Sequence, residues 1–275
     1  MNVIDIIKAI LIGIVEGITE WLPVSSTGHM ILFNELWPLN VSKEFMELFL
    51  VVIQLGAIMA VVILFWKKIW PFHASKGEFI NKETFLMWFK IVVACIPGAI
   101  VQLLYGDQID ALFYNYLTVA IMLILFGIGF IIIERKNKNK DPRITSIAGI
   151  TFNTAFYIGI FQLIAAVFPG TSRSGATILG AIMIGVSRSV ATEFTFFLAI
   201  PVMFGASLLK LLKVDYAIST SEIVLLITSM ITAFIVSIIT IKLLVNYIKK
   251  NDFTAFGWYR IVLGMVVLIF FGLIK

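Results

Sequence analysis

The chain has 275 residues, of which 60% are hydrophobic and only 13% charged, with a mean hydropathy of +1.04. That leaves too little polar surface to enclose a water-soluble core, and 24 Phe and 10 Met suit a lipid-facing helical bundle. The net charge of +5 lies in short basic loops beside apolar runs, a membrane pattern that speaks against a nucleic-acid partner. The single cysteine, Cys95, excludes an intramolecular disulfide and reads as packing within an apolar helix.

The first element is expected as a helix over about residues 3–22. Asp5, Glu16 and Glu20 interrupt its apolar run, it has no basic start and no small-residue cleavage site, so it is structure rather than a signal peptide. Glu16 and Glu20 stand four apart and share a helix face, which Gly13 and Gly17 extend as a strip for close helix approach. A charged residue at membrane depth costs roughly 2.5–3.5 kcal/mol on insertion scales, so two of them imply a function. Pro23 then stops the helix, and Ser25, Ser26 and Thr27 offer caps for a short helix from about 27 to 38. A capped break in apolar sequence describes a re-entrant membrane helix pair; the bland alternative is an interfacial turn with solvated glutamates.

Three spans follow, over about 45–66, 85–105 and 116–134, then a polar linker, ERKNKNKDPR, at 134–143. The linker reads as a solvated connector in preference to a lipid-head contact. A second broken pair is expected over about 147–168 and 172–186, and three further spans over 192–212, 222–246 and 255–274. The expected architecture is therefore an all-α integral membrane protein of two repeats, 1–134 and 147–275, joined by a linker at 135–146. A shift of 146 residues lays Ile12, Gly13, Ile14, Ile18, Pro23 and Ser26 on Ile158, Gly159, Ile160, Ile164, Pro169 and Ser172.

Three crossings between the broken pairs invert the second repeat. Lys67, Lys68, Lys76, Lys82, the linker and Lys249 with Lys250 lie on one side, whereas a loop at 106–115 carries Asp107 and Asp110 and no basic residue. The basic side is expected to be cytoplasmic, with both termini and the cavity of the first broken pair outside. The two breaks then meet near the midplane.

In the second break, PGTSRSGAT at 169–177, Thr171, Ser172 and Ser174 are candidate caps and Arg173 lies in the turn. Free amides at a helix start and a planar guanidinium together suit phosphate oxygens, although Arg173 could instead form a structural ion pair with Glu16 or Glu20. Facing the breaks sets a cation against two carboxylates, hydroxyls and an imidazole. Beside a phosphate, such glutamates either hold a divalent cation or one of them is protonated and acts as acid, and Ser26 or His29 serves as nucleophile or as the base that assists it.

These residues resemble the undecaprenyl-diphosphate phosphatase family of bacitracin-resistance membrane enzymes. The resemblance runs through EGITEWLPVSSTGH at 16–29, VVIQLGAI at 51–58, PGTSRSGATI at 169–178 and SRSVATEFTFFLAIP at 187–201. It implies hydrolysis of a C55 diphosphate to the monophosphate carrier of bacterial envelope synthesis, at the cell membrane, with dependence on a divalent cation, Mg²⁺ or Ca²⁺, held by Glu16 and Glu20. By this resemblance Glu16, Glu20, Ser26, His29 and Arg173 are catalytic. Phosphate contacts are expected from Ser25, Thr27, Gly170, Thr171, Ser172, Arg173, Ser174 and Thr177, with Gln54 as a further contact. The expected partners are the polyprenyl diphosphate and the bilayer, with a homodimer as candidate assembly.

The rival function is a transporter or flippase for a phosphorylated polyprenyl lipid, since inverted repeats suit alternating access. Anion carriage gains nothing from two extra carboxylates unless cations or protons are coupled to it. Of the remaining polar residues, Arg188 and Glu193 are expected to bridge locally, Arg260 to anchor at the interface beside Trp258 and Tyr259, and His73 to be solvated.

Overall fold

The computed structural model describes residues 2–72 and 80–274, so the expectations for His73 and Lys76 lie outside the described residues. The chain runs as α1 (Val3–Thr19), α2 (Ser26–Leu36), α3 (Lys43–Leu64), α4 (Trp66–Ile69), α5 (Lys82–Phe113), α6 (Tyr116–Asn137), α7 (Phe152–Val167), α8 (Arg173–Met183), α9 (Arg188–Leu212), α10 (Thr220–Ile248) and α11 (Thr254–Ile269), closed by a π turn at Phe270–Ile274. Among the described residues there are no strands, only isolated bridges at Phe72–Ile80 and Ile144–Val186. Six helices are long and apolar enough to cross a membrane: α3, α5, α6, α9, α10 and α11 with the start of its π turn. Their outward stripes are apolar; Ile231, Ile235 and Ile239 repeat every four residues along α10 and are all exposed, as a surface solvated by lipid requires.

The ends of the helices are capped as their sequences dictate. Asn2, Ser42, Asn81, Asn115, Thr151, Ser187 and Ser219 each accept a backbone amide from the first turn that follows, and Ser219 with Glu222 forms a capping box. Several helices differ from expectation in their bounds: α7 begins at Phe152 rather than 147 and α9 at Arg188 rather than 192, and two others run on further. α5 continues through Asp107 and Asp110 to Phe113, so the connection to α6 is Tyr114 and Asn115 rather than a ten-residue loop. The stretch DQIDALF holds no Gly or Pro to stop the helix and includes Gln, Ala and Leu, and 32 residues at 1.5 Å each reach beyond a hydrocarbon core about 30 Å thick, so its charges project past the membrane. α6 likewise runs past Glu134, which is buried rather than part of a solvated linker.

The first and second halves pack on each other. α1 lies along α10 and α7 along α5, while α6 pairs with α11 and α3 with α9. Both α1 and α7 use a glycine for the approach: a Cβ at Gly13 would sit 2.6 Å from the Ser229 carbonyl, and one at Gly159 would sit 2.5 Å from that of Ala94. Ser229 adds a hydroxyl bond of 2.7 Å to the Ala9 carbonyl.

Polar contacts sort the helix ends into two groups. At one end Lys8 reaches the Pro38 carbonyl, Lys210 pairs with Glu47, Lys213 with Asp107, and Tyr116 stacks on Phe271. At the other, Lys68 pairs with Glu193, Arg188 with Glu134, Lys90 reaches the Ala148 carbonyl and Asn137 that of Ile182. Arg188 and Glu193 therefore do not bridge locally; each binds a helix far away in sequence, because five residues at about 100° each turn them roughly 140° apart around the helix. The Lys8–Pro38 and Asn137–Ile182 contacts return α2 and α8 to the ends from which α1 and α7 set out. Both breaks are thus left inside the bundle.

Candidate active site at the two helix breaks

Ser25 and Ser172 cap α2 and α8 in the same way. Each accepts the amide of the glycine three residues on, Gly28 and Gly175, at 3.4 and 3.1 Å, and each holds a positive φ, 74° and 67°. Non-glycine residues rarely adopt that region; such strain costs on the order of 1–3 kcal/mol and gathers at functional sites. The equivalence also corrects the register of the repeat. Pro23-Val-Ser25 and Pro169-Gly-Thr-Ser172 differ by one residue, so past the prolines Ser25, not Ser26, corresponds to Ser172, and Ser26 corresponds to Arg173.

That pair meets on one carboxylate. Glu20 accepts the Ser26 hydroxyl on Oε2 at 2.8 Å and an Arg173 Nη2 hydrogen on Oε1 at 2.8 Å. Ser174 fastens the two breaks further, its hydroxyl donating to the carbonyls of Glu20 at 3.1 Å and Leu22 at 3.4 Å. Glu16 lies one turn before Glu20, 2% exposed, and its Oε1 has no protein partner; neither have Arg173 Nη1, Trp21 Nε1 and the Thr171 hydroxyl. Buried polar atoms are nearly always paired, so orphans of both signs beside the two breaks mark a candidate site for a charged ligand.

His29 is held at both ring nitrogens, by the Ser25 carbonyl at 2.8 Å from Nδ1 and by the Tyr259 hydroxyl at 2.7 Å from Nε2. A carbonyl only accepts, so Nδ1 carries hydrogen; in the neutral ring Nε2 then accepts from Tyr259. Thr27 is half-buried on the first turn of α2. Two expected contacts point elsewhere: the Thr177 hydroxyl bonds the Arg173 carbonyl and Thr195, at 2.9 Å each, and the Gln54 amide turns to Leu50 on its own helix at 3.5 Å.

Arg260 overturns the expectation of an interface anchor. It is fully buried, and its guanidinium donates to five carbonyls: Pro23 at 3.2 Å, Met122 at 3.4 Å, Leu123 at 3.4 Å, Gly170 at 3.0 Å and Thr171 at 2.7 Å. A Cβ at Gly175 would sit 2.8 Å from Nη1, so the glycine leaves the space the guanidinium fills. Arg260 sits in the second turn of α11 and joins both breaks to α6.

The family model described as bacitracin resistance protein BacA matches residues 9–266. The chain belongs to the BacA bacitracin-resistance family. It is 63% identical over 272 residues to an undecaprenyl-diphosphatase of Desulfitobacterium hafniense, covering 99% of this chain and 98% of that protein. Undecaprenyl-diphosphatase 1 of Clostridium acetobutylicum is 63% identical over 271 residues, 98% of this chain and 99% of its own length. An undecaprenyl-diphosphatase of Enterococcus faecalis is 58% identical over 264 residues, 95% of each chain.

In this BacA-family chain the fit to a divalent cation rests on the donor set. Among the described residues no group of three or more His, Cys, Asp or Glu gathers as a metal cage. Mg²⁺ needs none, since it binds through one or two carboxylates and completes its shell with water and substrate phosphate oxygens. Glu16, with a buried unpartnered oxygen, would supply one such carboxylate and Glu20 beside it the other, through the lone pairs that Ser26 and Arg173 leave over. Sequence reasoning missed Arg260 and Tyr259 because Trp258 and Tyr259 beside them resemble an aromatic belt. An arginine six residues into an apolar helix, roughly 9 Å along it, was the available signal.

Proposed function

We propose that this chain hydrolyses undecaprenyl diphosphate to undecaprenyl phosphate and inorganic phosphate in the bacterial cell membrane, and so recycles the lipid carrier of envelope synthesis. The observation that carries the mechanism is Glu20 holding the Ser26 hydroxyl on one oxygen and Arg173 on the other.

Ser26 Oγ is the nucleophile and Glu20 its base. As Oγ attacks the terminal phosphorus, Glu20 Oε2 takes the hydroxyl proton, the bond from phosphorus to the bridging oxygen breaks, and its electrons leave with undecaprenyl phosphate. Glu20 hands the proton to the departing phosphate oxygen. Water then attacks the serine phosphate, Glu20 takes its proton and returns it to Oγ, and inorganic phosphate leaves. Arg173 Nη1, the free amides at the starts of α2 and α8, and the buried charge of Arg260 behind them place positive potential where the equatorial oxygens gain charge. A divalent cation held by Glu16 and Glu20 would polarise the phosphoryl oxygens and offset the carboxylates. His29, with both nitrogens engaged, fixes the strained start of α2.

The sidedness of the reaction follows from the same reading. Three spans, α3, α5 and α6, separate the broken pairs, so the second half is inverted and the two pairs enter from opposite faces. The end bearing Lys67, Lys68, Lys82, the 138–143 linker, Lys249 and Lys250 is cytoplasmic by charge, which puts the first break and its cavity toward the outer face.

The test is phosphate release from polyprenyl diphosphate by purified protein, with Ser26→Ala alongside. Release by wild type and loss of about a thousandfold or more in the variant supports the reading; binding without release would favour a carrier.

A further inference from the structure

We infer that a basic cavity at the linker end of the bundle, separate from the breaks, binds a phosphate-bearing anion of the membrane surface. The cavity encloses about 470 Å³ between residues 137–143, the turn from α8 into α9, and the end of α10. That volume is in the range of small-ligand sites.

The linker is built into this cavity. The amides of Arg143 and Ile144 both donate to the Gly185 carbonyl, at 2.8 and 3.1 Å, and the Ser187 amide donates back to Ile144 at 2.8 Å. Gly185 turns with a φ of +90°, and the Arg143 stem lies across it, 3.3 Å from where a Cβ would be. A connector that only spanned two halves would need none of these bonds. They fix Arg143 beside the start of α9, where the cap Ser187 with Arg188 and Ser189 lines the cavity and where the first amides, apart from the Val190 amide that Ser187 accepts, have no partner within the helix.

The charge is unbalanced. Arg188 is taken by Glu134. Lys140, Arg143 and Lys249 also line the cavity, with Asp141 the acidic lining residue, and among the described residues those three cations form no ion pair. Ile182, Val186 and Ile248 supply an apolar wall beside them. Cations and a helix start above an apolar wall, at the end of a membrane bundle, suit a phosphate whose ester carries a chain. Soluble phosphate shares the head chemistry and lacks the chain.

The experiment uses the full chain purified in detergent and native mass spectrometry, titrated with phosphatidylglycerol, with phosphatidylcholine, and with inorganic phosphate. Wild type should hold phosphatidylglycerol in preference to phosphatidylcholine. Arg143→Gln with Lys249→Gln should weaken it roughly thirtyfold, while Lys136→Gln with Lys138→Gln, which removes equal charge outside the cavity, leaves it unchanged. Inorganic phosphate that binds and displaces the lipid supports the phosphate chemistry, and phosphate binding without lipid binding assigns the site to the soluble anion. Equal retention of the two lipids without phosphate binding, or equal losses in the two double variants, would overturn the proposal. Lipid-free thermal unfolding of each variant separates a lost site from a lost fold, and Lys249→Gln alone serves if the pair unfolds.

Discussion

His29 and Tyr259 meet from opposite ends of the chain, their rings 9° from parallel with centroids 5.7 Å apart and the hydroxyl 2.7 Å from Nε2. With Nδ1 given to the Ser25 carbonyl, His29 has no free nitrogen to aim at phosphorus, whereas the Ser26 hydroxyl is already paired with the Glu20 carboxylate. Rapid acid quench of the enzyme with substrate labelled in the terminal phosphate should therefore trap an acid-stable serine phosphate. Tyr259→Phe should cost less than about tenfold in kcat, as a positioning contact does. A label that survives a parallel basic quench and is lost in acid would instead assign the chemistry to His29.

Glu16→Gln and Glu20→Gln should each lower kcat by about a hundredfold or more with little change in KM, because in the proposed mechanism both carboxylates act as charge develops. The double variant should lose little more than the worse single one, since the two serve a single site. Removal of divalent cations with a chelator should abolish turnover of wild type, and Glu16→Gln should need a higher Mg²⁺ concentration for half-maximal rate. Near-normal turnover of the double variant would sink the assignment.

Arg260→Lys should behave almost as badly as Arg260→Met. An ammonium has three donors on one atom and cannot span five carbonyls contributed by the two breaks and α6. Each buried carbonyl left unpaired costs about 1–3 kcal/mol, so the unfolding midpoint in detergent should fall by several degrees along with activity. A lysine variant of normal stability and rate would return Arg260 to the role of a passive anchor.

Cysteines introduced at Lys138 and Asp107 in a Cys95→Ser background report sidedness, since both positions are exposed. A membrane-impermeant thiol reagent on intact cells should label position 107 and spare 138. The reverse pattern would turn the orientation over, and labelling of both would break the inversion.

Much of this architecture is written in local sequence. Proline stops, serine caps and apolar runs act within a few residues, so the two broken helices, the six spans and the meeting of Glu20 with Arg173 were legible, as was the glycine strip that seats α1 on α10. The family, and with it the diphosphatase chemistry, was legible in the blocks around the two breaks. Contacts between distant segments were not. Arg260 follows Trp258 and Tyr259 in sequence, but the helix turns about 100° per residue, so Trp258 faces outward while Arg260 faces carbonyls from residues 237 and 90 positions away. Likewise the sequence offered Arg173 a choice between Glu16 and Glu20, and a choice of nucleophile between Ser26 and His29. Only tertiary packing brought Ser26 and Arg173 to the same carboxylate, left an oxygen of Glu16 free, and tied the Tyr259 hydroxyl to the histidine, because hydrogen bonds are satisfied among groups close in space whatever their separation along the chain.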